Sequence, residues 1–412
     1  MRILYECDLA GSSYHGMAYR IFQFSNEFKK RGHEVMIVAA SFSHVRRINP
    51  VVKKKLTNEN IDGIEYKWIK TPKYSGNGIG RVIHMFIYNM RLWLYAENIS
   101  KEFKPDVVIA SGVSPLDFIG CNRIAKKSNS KIFFEVGDLW PLTPIELGGF
   151  SPKHPFIYLM QQAEKHAYKY SDAVISLLPC AEPYMSKQGL AVGKFHYIPN
   201  GVITENWIEK KVLPKEHRDC IDEFKKQNKF LIGFTGTHSI SNSLYTLIDV
   251  AELLNNSNIE FLLIGDGPIK VNLVEIVNRK HISNVTFLPS VNKNIIPSLL
   301  FEMDALYVGF QKQSLYRFGI SPNKIFDYMM ASKPIIQAID AGNNLVKDAN
   351  CGVYAQPDNP GDIASAIMYL KSLPQEERTV LGNNGYQYVV ENHSYKVLTD
   401  KFLRILEDTE KK

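Results

Sequence analysis

Residues 317–336 read RFGISPNKIFDYMMASKPII, and this stretch shows how the chain is built. Short apolar runs at 305–308 and 334–338 predict strands on either side of it. The letters between them predict a loop that leads into a helix, because Pro322 is well placed near a helix start. A strand, a helix and a second strand in that order are typical of a parallel βαβ unit. The stretch therefore predicts an α/β fold.

The same alternation of strands and helices recurs along the whole chain in two series. The first series of predicted strands lies at 2–7, 34–40, 65–71, 107–111, 131–136, 173–178 and 195–199. The second series lies at 230–235, 259–264, 285–288, 305–308, 334–338 and 352–355. Two doubly wound, Rossmann-like domains are the simplest interpretation, and ligands of such sheets bind beyond the carboxyl ends of the strands. We expect the two domains to face a central cleft.

The domain boundary is predicted at residues 198–202, where a strand ends in an Asn-Gly turn. A turn within one domain would have the same letters, but the strand and helix alternation restarts after it. We therefore predict an N-terminal domain at 1–199 and a C-terminal domain at 200–385. The last helical stretch, about 386–412, has more apolar positions than a free tail needs. It is expected to pack back on the N-terminal domain.

Composition excludes several classes of protein. The chain has 412 residues, 45% of them hydrophobic, and its five cysteines are scattered without a C-x-x-C pair. A disordered chain, a disulfide framework and a zinc ribbon are therefore not expected. Asp8 interrupts any apolar signal region near the start, so we expect a cytoplasmic protein. No run approaches the roughly 18 to 20 apolar residues that a membrane-spanning helix needs.

Basic residues are concentrated in one part of the first half. The formal net charge is +7, and residues 29–104 alone hold 15 Lys and Arg side chains against 6 Asp and Glu side chains. A confined basic patch favours a polyanionic neighbour such as nucleic acid, an anionic membrane surface or a phosphorylated ligand. The sequence has no recognisable nucleic-acid-binding module, so no nucleic-acid partner is expected.

A glycine turn follows the first predicted strand and leads into a helix. It includes Ser13, Tyr14, His15 and Gly16. Unpaired backbone amides at such a helix start suit a phosphate or a sugar hydroxyl. A tight turn without a ligand explains the letters equally well, since neither the dinucleotide fingerprint nor a P-loop is present.

Polar and aromatic side chains also follow the fifth predicted strand. Asp138 and Trp140 are expected to project from the strand end into the cleft. A carboxylate beside an aromatic ring suits sugar recognition, by hydrogen bonds to hydroxyls and by stacking on a sugar ring. The alternative is a capping Asp and a core Trp. Glu146, in the loop beyond, is a further candidate.

Two glycine turns end strands of the second half. Gly236 and His238 follow one strand, and Gly265, Asp266 and Gly267 follow the next. Backbone N–H groups in these turns would suit a phosphate or a nucleobase edge. Each turn on its own is also ordinary loop chemistry.

The opening stretch offers an anion site at its helix start. The amides of residues 321–324 are expected to point at the cleft together with the positive end of the helix dipole. Lys324 and these amides would hold a diphosphate, and Asp327 would accept a hydrogen bond from a ribose hydroxyl. The alternative is a surface helix with an Asp–Lys pair.

Taken together, these segments make the whole chain resemble the family 4 retaining glycosyltransferases, which share the two-domain GT-B fold. The resemblance rests on the first glycine turn, residues 30–35, 198–202, 265–268 and 284–287, and the run up to Lys333-Pro334. It implies that a sugar moves from a nucleotide diphosphate to an acceptor with retention of the anomeric configuration. The N-terminal domain would then bind the acceptor and the C-terminal domain the donor.

Two short segments are similar to one branch of this family. Residues 321–324 and 138–141 look like the branch that transfers N-acetylated amino sugars in surface polysaccharide assembly, such as O-antigen or capsule. UDP-sugars are the usual donors in that branch. The resemblance therefore implies a UDP-sugar as the substrate.

The chain departs from the family's E-x7-E hallmark. Asp327 matches the second acid, which typically binds the ribose, and Gly319 stands at the first position. No Asp-x-Asp pair occurs in the sequence, although such a pair is the common Mg or Mn site of the other large transferase fold. We therefore expect a metal-independent enzyme without a cofactor.

A second departure concerns the cations that hold the diphosphate. The family commonly places an Arg and a Lys after the first strand of its second domain, where this chain has Thr237 and Asn242. Lys324, together with Arg317 or His238, is expected to replace them.

The site residues expected from the sequence fall into three groups. The catalytic candidates are Asp138, as a base or hydroxyl orienter, His15 and Lys324. The donor-binding candidates are Gly16, Gly236, His238, Gly265, Asp266, Gly267, Arg317, Gly319, Ser321, Pro322, Asn323, Lys324 and Asp327. The acceptor-binding candidates are Ser13, Tyr14, Trp140 and Glu146. No metal ligands are expected.

A predicted helix in the basic region, residues 81–95, has an apolar face. Its apolar positions are Val82, Ile83, Phe86, Ile87, Met90, Trp93 and Leu94, with Arg81 and Arg91 nearby. Aromatic and basic residues on one helix suit a membrane interface, and an ordinary core helix is the alternative. Relatives with lipid-diphosphate acceptors dock in this way. We therefore expect a lipid-linked saccharide acceptor and a peripheral position at the inner face of the cell membrane.

Two other classes of protein are compatible with parts of the pattern. A UDP-sugar 2-epimerase uses a similar two-domain fold, but the basic aromatic region and the Asp-Leu-Trp-Pro segment count against it. A non-enzymatic two-lobed sugar-binding protein would also have paired α/β domains, but it would normally carry an export signal.

Overall fold

The computed structural model describes residues 1–16, 20–76 and 78–409, which form two compact units. Unit 1 comprises Met1–Asn200 and the chain from Tyr395 onward, and unit 2 comprises Gly201–Ser394. The division falls one residue after the predicted domain end at 199.

Unit 1 is built on an eight-stranded sheet. Its strands are β1 (Arg2–Glu6), β2 (Glu34–Ala40), β3 (Leu56–Ile61), β4 (Ile64–Ile69), β5 (Val107–Ala110), β6 (Lys131–Val136), β7 (Ala173–Ser176) and β8 (Phe195–Tyr197). The order across the sheet is β3-β4-β2-β1-β5-β6-β7-β8. All neighbouring pairs are parallel except β3 and β4, which form an antiparallel hairpin.

Helices connect these strands, as parallel pairing requires. They are α1 (Arg20–Lys30), α2 (Ile79–Phe103), α3 (Asp117–Ser128), α4 (Leu142–Glu146), α5 (Pro155–Tyr170) and α6 (Glu182–Lys187). Central strands such as β2 are buried along nearly their whole length, because helices cover both faces of a parallel sheet.

Unit 2 repeats this architecture with a six-stranded sheet. Its helices α7 (Lys215–Lys226), α8 (Leu244–Leu253), α9 (Lys270–Arg279), α10 (Ile296–Leu300), α11 (Asn323–Met330), α12 (Leu345–Asp348), α13 (Pro360–Ser372) and α14 (Gln375–His393) flank the sheet. The strands are β9 (Phe230–Thr235), β10 (Ile259–Ile264), β11 (Val285–Leu288), β12 (Ala305–Gly309), β13 (Ile335–Ala338) and β14 (Gly352–Tyr354). The order is β11-β10-β9-β12-β13-β14, and every pair is parallel.

The last helix, α15 (Tyr395–Asp408), belongs to unit 1. Its Phe402 is fully buried, with its ring centroid 5.2 Å from that of Phe24 and 5.6 Å from that of Phe28 on α1. The same ring lies 6.4 Å from Tyr5 on β1. Helix α15 therefore packs against β1 and α1 and forms part of the core of unit 1.

The structure corrects two details of the sequence-based organisation. The predicted helical stretch at 386–412 is the end of α14 followed by α15, since Ser394 is extended (φ −66°, ψ 140°) and interrupts the helix. Strand β3 was not expected, because its letters, LTNENI, are mostly polar. It pairs with β4 at the edge of the sheet, where solvent accepts polar side chains.

The chain leaving unit 1 is fixed by one arginine. Arg20 donates to Ile198 O at 2.9 Å and to Pro199 O at 2.6 Å, and its guanidinium pairs with Glu135 on β6 at 2.8 Å. Glu135 is buried, so this pair is shielded from water. None of the described helices is long and apolar enough to cross a membrane.

Candidate functional site

In unit 2, the turns after β9 and β10 are packed backbone against backbone. Gly265 has φ +150°, and a Cβ atom there would lie 2.0 Å from the carbonyl oxygen of Gly236. Gly267 faces the backbone of His238 in the same way, with the corresponding distance 2.4 Å. These positions are glycine because two loops approach each other more closely than any side chain permits.

The amides of these turns are already used within unit 2. Gly236 N donates to Ile264 O at 3.0 Å, and Gly265 N donates to Leu288 O at 3.1 Å. His238 N donates to the carbonyl oxygen of Asp266 at 2.8 Å, and Gly267 N donates to its carboxylate, also at 2.8 Å. Three of these amides thus join the turns to each other or to neighbouring strands, and the fourth closes its own turn; the donor-binding role expected of the four residues stays a prediction.

Helix α11 brings a cation to the end of β9. The Lys324 amine lies 3.1 Å from Asn242 Oδ1 and 4.0 Å from the ring centroid of Phe234. A Cβ atom on Gly236 would lie 3.3 Å from the same amine. We call Phe234, Gly236 and Asn242 the Lys324 seat. Burial lowers the pKa of Lys324 to about 7, so its charge is sensitive to any anion that approaches.

The start of α11 is held in place by two other contacts. Thr235 N, at the end of β9, donates to the Tyr328 hydroxyl at 2.9 Å. Asn343 accepts from Ile320 N at 2.8 Å and donates to Ile320 O at 3.0 Å. Pro322 occupies the cap position, one residue earlier than the first helical residue Asn323. The residue at the cap position, Pro322, makes no side-chain hydrogen bond to the first turn of α11, and the backbone amides of a helix start suit an anion.

Asp327 faces a lysine that the sequence analysis did not consider. Its Oδ2 lies 3.7 Å from the Lys293 amine, in the loop after β11. Burial raises the pKa of Asp327, and Lys293 acts in the opposite direction. The pair lies at the carboxyl edge of the sheet. Ligands of parallel sheets bind beyond the carboxyl ends of the strands, so the position of Lys293 after β11 could have identified it from the sequence.

The two substitutes proposed beside Lys324 are less suitable as cations. His238 is fully buried, and burial together with Lys270 lowers its pKa to about 4, so the imidazole is neutral at pH 7. The exposed Arg317 donates to Ser314 O at 2.6 Å and lies over the ring of Phe318, at 4.3 Å. Lys270, which donates to Gly265 O at 2.9 Å, is a nearby cation that sequence reasoning missed.

Gly319, Ser321 and Asp266 complete the expected donor set. Gly319 has φ +98° and ends the short 3₁₀ turn at Ser314–Phe318, while Ser321 is half-buried in the loop before α11. Asp266 is exposed in the turn after β10. Unit 2 thus brings Lys324 and the two glycine turns together.

In unit 1, the glycine turn after β1 buries its histidine. His15 is 1% exposed, and its Nδ1 lies 2.9 Å from the Ser12 hydroxyl. Its ring packs edge-on against Trp68 at 5.3 Å, and burial followed by Arg46 lowers its pKa. Because the ring is buried, His15 does not present it at the surface of the turn, and a catalytic role of His15 stays a prediction.

The neighbours of His15 in the turn are more accessible. Tyr14 is 68% exposed, and Ser13 is also exposed. Gly16 has φ +69°, which favours glycine, and it lies beside the flexible side chain of Arg47. Ser13 and Tyr14 are therefore available to an acceptor.

The loop after β6 exposes its carboxylate and half-buries its indole. Asp138 accepts a hydrogen bond from the Thr143 hydroxyl at 2.7 Å and is otherwise exposed. Trp140 packs against a small apolar cluster that includes Met85 and Met160, so it is partly a core residue. Glu146 is half-buried at the end of α4. The exposed Asp138 carboxylate remains the acid most accessible to an acceptor among these candidates.

Acids that the sequence analysis did not single out are buried at the carboxyl edge of the first sheet. Glu6 accepts from the Tyr88 hydroxyl at 2.8 Å, and burial followed by Asp8 raises the pKa of Glu6 to about 8. Asp117, at the start of α3, accepts from Asn89 at 2.7 Å, and burial raises its pKa strongly. Among the described residues, no group of His, Cys, Asp and Glu side chains has an arrangement that could hold a metal ion.

Helix α2 carries a row of apolar side chains on its outer face. Ile83, Phe86, Met90 and Trp93 are each 40% to 54% exposed. The guanidinium of Arg123 lies over the Trp93 ring at 3.6 Å. We call these four side chains the α2 apolar row. The opposite face of α2 is buried in unit 1, as the core-helix alternative predicts, and a membrane position of the exposed face stays a prediction.

Two family models match this chain, and between them they cover most of it. The model "Glycosyltransferase Family 4" matches residues 14–206, and the model "Glycosyl transferases group 1" matches residues 229–372. Each model thus falls largely within one of the two structural units.

Relatives with similar sequences are glycosyltransferases by description. An uncharacterized glycosyltransferase of Methanocaldococcus jannaschii, MJ1059, is 23% identical over 58% of this chain and 56% of its own length. The putative colanic acid biosynthesis glycosyl transferase WcaI of Escherichia coli K12 is 22% identical over 66% of this chain and 67% of its own. The matched region thus spans between about half and two thirds of these relatives.

A solved structure supports the fold. The E. coli structure described as trehalose-6-phosphate bound with UDP-2-fluoro glucose has a TM-score of 0.73 over 100% of both chains, at 11% identity. At that identity the likeness concerns the fold, and it is the GT-B fold of two parallel-sheet α/β domains. The two family models and the described relatives support a glycosyltransferase of the family 4 type, and the solved structure supports its fold.

Proposed function

We propose that this protein transfers a sugar, of the N-acetylated amino type, from a UDP-sugar to an acceptor hydroxyl with retention of the anomeric configuration. The observation that carries the proposal is the arrangement around α11. The start of α11, the Lys324 amine and the Asp327 carboxylate all belong to one eight-residue helix at the carboxyl edge of the second sheet.

Each part of this arrangement suits one part of a nucleotide sugar. The amides at the start of α11 and the Lys324 amine would hold the diphosphate, and Asp327 would accept a hydrogen bond from the ribose. As the sugar leaves, negative charge builds up on the departing UDP. Preorganised amides and an ammonium stabilise that charge more than they stabilise the intact donor, which is how they lower the barrier. In this proposal the chain's own cations do so without a metal ion.

The acceptor would be held by unit 1. Asp138 is exposed beside Thr143 and would orient or deprotonate the attacking hydroxyl, while Trp140 would stack on a sugar ring. Ser13 and Tyr14 would contact the acceptor from the first glycine turn. His15 would act only through the packing of that turn, since its ring is buried.

A lipid-linked glycan at the inner face of a bacterial membrane is the acceptor class that we propose, in surface polysaccharide biosynthesis. The α2 apolar row supports this, because aromatic and aliphatic side chains near arginines suit an anionic lipid interface. The relative WcaI, described as a putative colanic acid glycosyl transferase, is consistent with such an assembly.

The donor proposal is tested by calorimetry and thermal shift with a panel of UDP- and GDP-sugars on the full chain. We expect a UDP-sugar to bind and Asp327→Ala to weaken that binding by about tenfold, the value of one hydrogen bond to a charged group. Asp249→Ala is the matched control, since it removes an exposed carboxylate that also pairs with a lysine, Lys280. Failure of every nucleotide sugar to bind would contradict the proposal. Release of an epimerised UDP-sugar without acceptor would replace it with the epimerase reaction.

A further inference from the structure

The cation at the end of β9 comes from a distant part of the chain. Lys324 lies on α11, and its amine reaches the Lys324 seat at the end of β9. Two sides of the amine are occupied, by the Asn242 oxygen and by the Phe234 ring. An ammonium has three N–H donors, and the seat accepts one of them through an ordinary hydrogen bond.

The orientation of the Asn242 amide is fixed by its other contacts. Its Nδ2 donates to Thr237 O at 2.8 Å and to the Ser239 hydroxyl at 3.0 Å. Because Nδ2 is committed to these two acceptors, Oδ1 must face away from them, and it faces the Lys324 amine. The amide therefore acts as a directed acceptor on a loop that is itself held to the turn after β10, because His238 N donates to Asp266 O.

The Asn242 amide is an uncharged acceptor, and this affects the charge that the Lys324 amine can present to a ligand. A carboxylate at the same place would attract the ammonium more strongly, but it would neutralise the charge and repel an incoming phosphate. An amide oxygen orients the amine and leaves its charge available. We propose that Asn242 is a positioning residue, which holds the Lys324 amine at the end of β9 so that its charge meets the diphosphate of the bound nucleotide. This inference rests on the proposed function.

The protonation of the amine gives the test a specific readout. The pKa of Lys324 is lowered to about 7 by burial, so the ligand-free amine is only partly charged at neutral pH. Binding of a diphosphate favours the charged form and draws in a proton. We therefore expect the affinity for UDP, measured by calorimetry on the full chain, to fall as the pH rises from 6 to 8.5.

Asn242→Asp is the first test variant. Its carboxylate would raise the pKa of the Lys324 amine, so the fall in affinity should move to higher pH by about one unit, and the affinity at pH 6.5 should drop about tenfold. Asn255→Asp is the control, because Asn255 Oδ1 accepts from Ser283 N and a carboxylate oxygen serves equally well there. A merely structural role of Asn242 would lower the melting temperature but would not move the pH profile.

The second test exchanges the two side chains. Lys324→Asn alone should weaken UDP binding by about 10- to 100-fold, the value of a charge-assisted contact. The double variant Asn242→Lys with Lys324→Asn should recover part of that loss, since it returns an amine paired with an amide to the space between the loop and α11.

The outcomes separate this inference from the function on which it rests. If the wild type binds UDP but Asn242→Asp keeps both its affinity and its pH profile, the positioning role is wrong and the function stands. If the exchange variant folds and recovers nothing, the positioning role is likewise wrong. If the wild type binds UDP at no pH, the proposed function fails and this inference with it.

Discussion

The carboxyl edges of the two sheets differ in the ionisable groups that lie there. In unit 1, Glu6 and Asp117 are buried acids, and burial raises the pKa of both. In unit 2, burial lowers the pKa of two bases, His238 and Lys324, and raises the pKa of one acid, Asp327. In both sheets burial disfavours the charged forms of these groups, so the acids hold their protons more tightly and the bases hold theirs less tightly. Among these groups, Lys324 in unit 2 is the only amine, and an arriving diphosphate would favour its charged form.

The glycine turns of the two units differ in how much room they leave for a side chain. This difference gives the prediction with the largest expected effect. Gly265→Ala should destabilise unit 2 by about 3 kcal/mol or more, because the new methyl would overlap a backbone carbonyl that cannot rotate away. Gly16→Ala is the matched variant in unit 1. It should cost only about 1 to 2 kcal/mol of left-handed backbone strain, since Arg47 can move.

Hydrogen exchange followed by mass spectrometry checks this prediction, because it reports on each unit separately. Equal losses of protection in the two variants would show that the close approach of Gly265 to Gly236 does not distinguish unit 2.

The second prediction concerns the chargeable amine of unit 2. Lys324→Ala should lower kcat by about 30- to 100-fold while changing the KM for the donor little, because the ammonium acts mainly on the charge that builds up on the departing UDP. Steady-state kinetics with the donor found in the panel measures both constants. Lys280→Ala is the control, since Lys280 is an exposed lysine at the end of α9 that pairs with Glu252. A kcat within a few-fold of wild type would remove Lys324 from the phosphate site.

The third prediction uses the opposite directions in which burial moves the pKa of Glu6 and the pKa of Lys324. Glu6 keeps its proton up to about pH 8 when folded, whereas a free Glu loses it near pH 4.3, so the folded state binds more protons between these values. Folding of unit 1 therefore loses stability as the pH rises from about 5 to 8. Lys324 has the reverse effect on unit 2 above pH 7, because the unfolded chain then binds the extra proton.

Glu6→Gln tests this contrast, since glutamine is neutral at every pH and can still accept from Tyr88. Urea unfolding at pH 6 and pH 8 should show a smaller loss of unit 1 stability in the variant than in the wild type. Glu97→Gln is the control, because Glu97 is paired with Lys101 at the surface. An unchanged difference between the two pH values would show that Glu6 is ionised in the folded protein.

The smallest expected effect concerns the surface of unit 1. Ile83→Glu together with Met90→Glu should reduce flotation with liposomes of anionic lipid by several-fold, since both side chains belong to the α2 apolar row. Leu253→Glu together with Val271→Glu places the same charges on exposed apolar positions of unit 2 and should change little. A wild type that stays wholly in the soluble fraction would remove the membrane proposal.

Much of the fold follows from the sequence, because apolar runs and glycine turns are local signals. The strand after Ser332 and the helix after Pro322 could be read from their letters alone. The contact of Lys324 with Asn242 could not, since it joins two segments far apart in the chain and depends on how α11 packs against β9. The engaged amides of Gly236 and Gly265 were equally invisible, because glycine letters do not say whether a ligand or another backbone makes the close approach.

Helix α15 has a consequence for how the protein is made. A ribosome releases the chain in order, so Phe24 and Phe28 leave the exit tunnel long before Phe402, the ring that packs against both. Unit 2 is fully synthesised in the interval, and domains generally fold as units while synthesis continues. Unit 1 therefore carries an unfinished apolar surface throughout the synthesis of its neighbour. The half that is made first is the half that is completed last, and that surface is where a nascent-chain chaperone would bind.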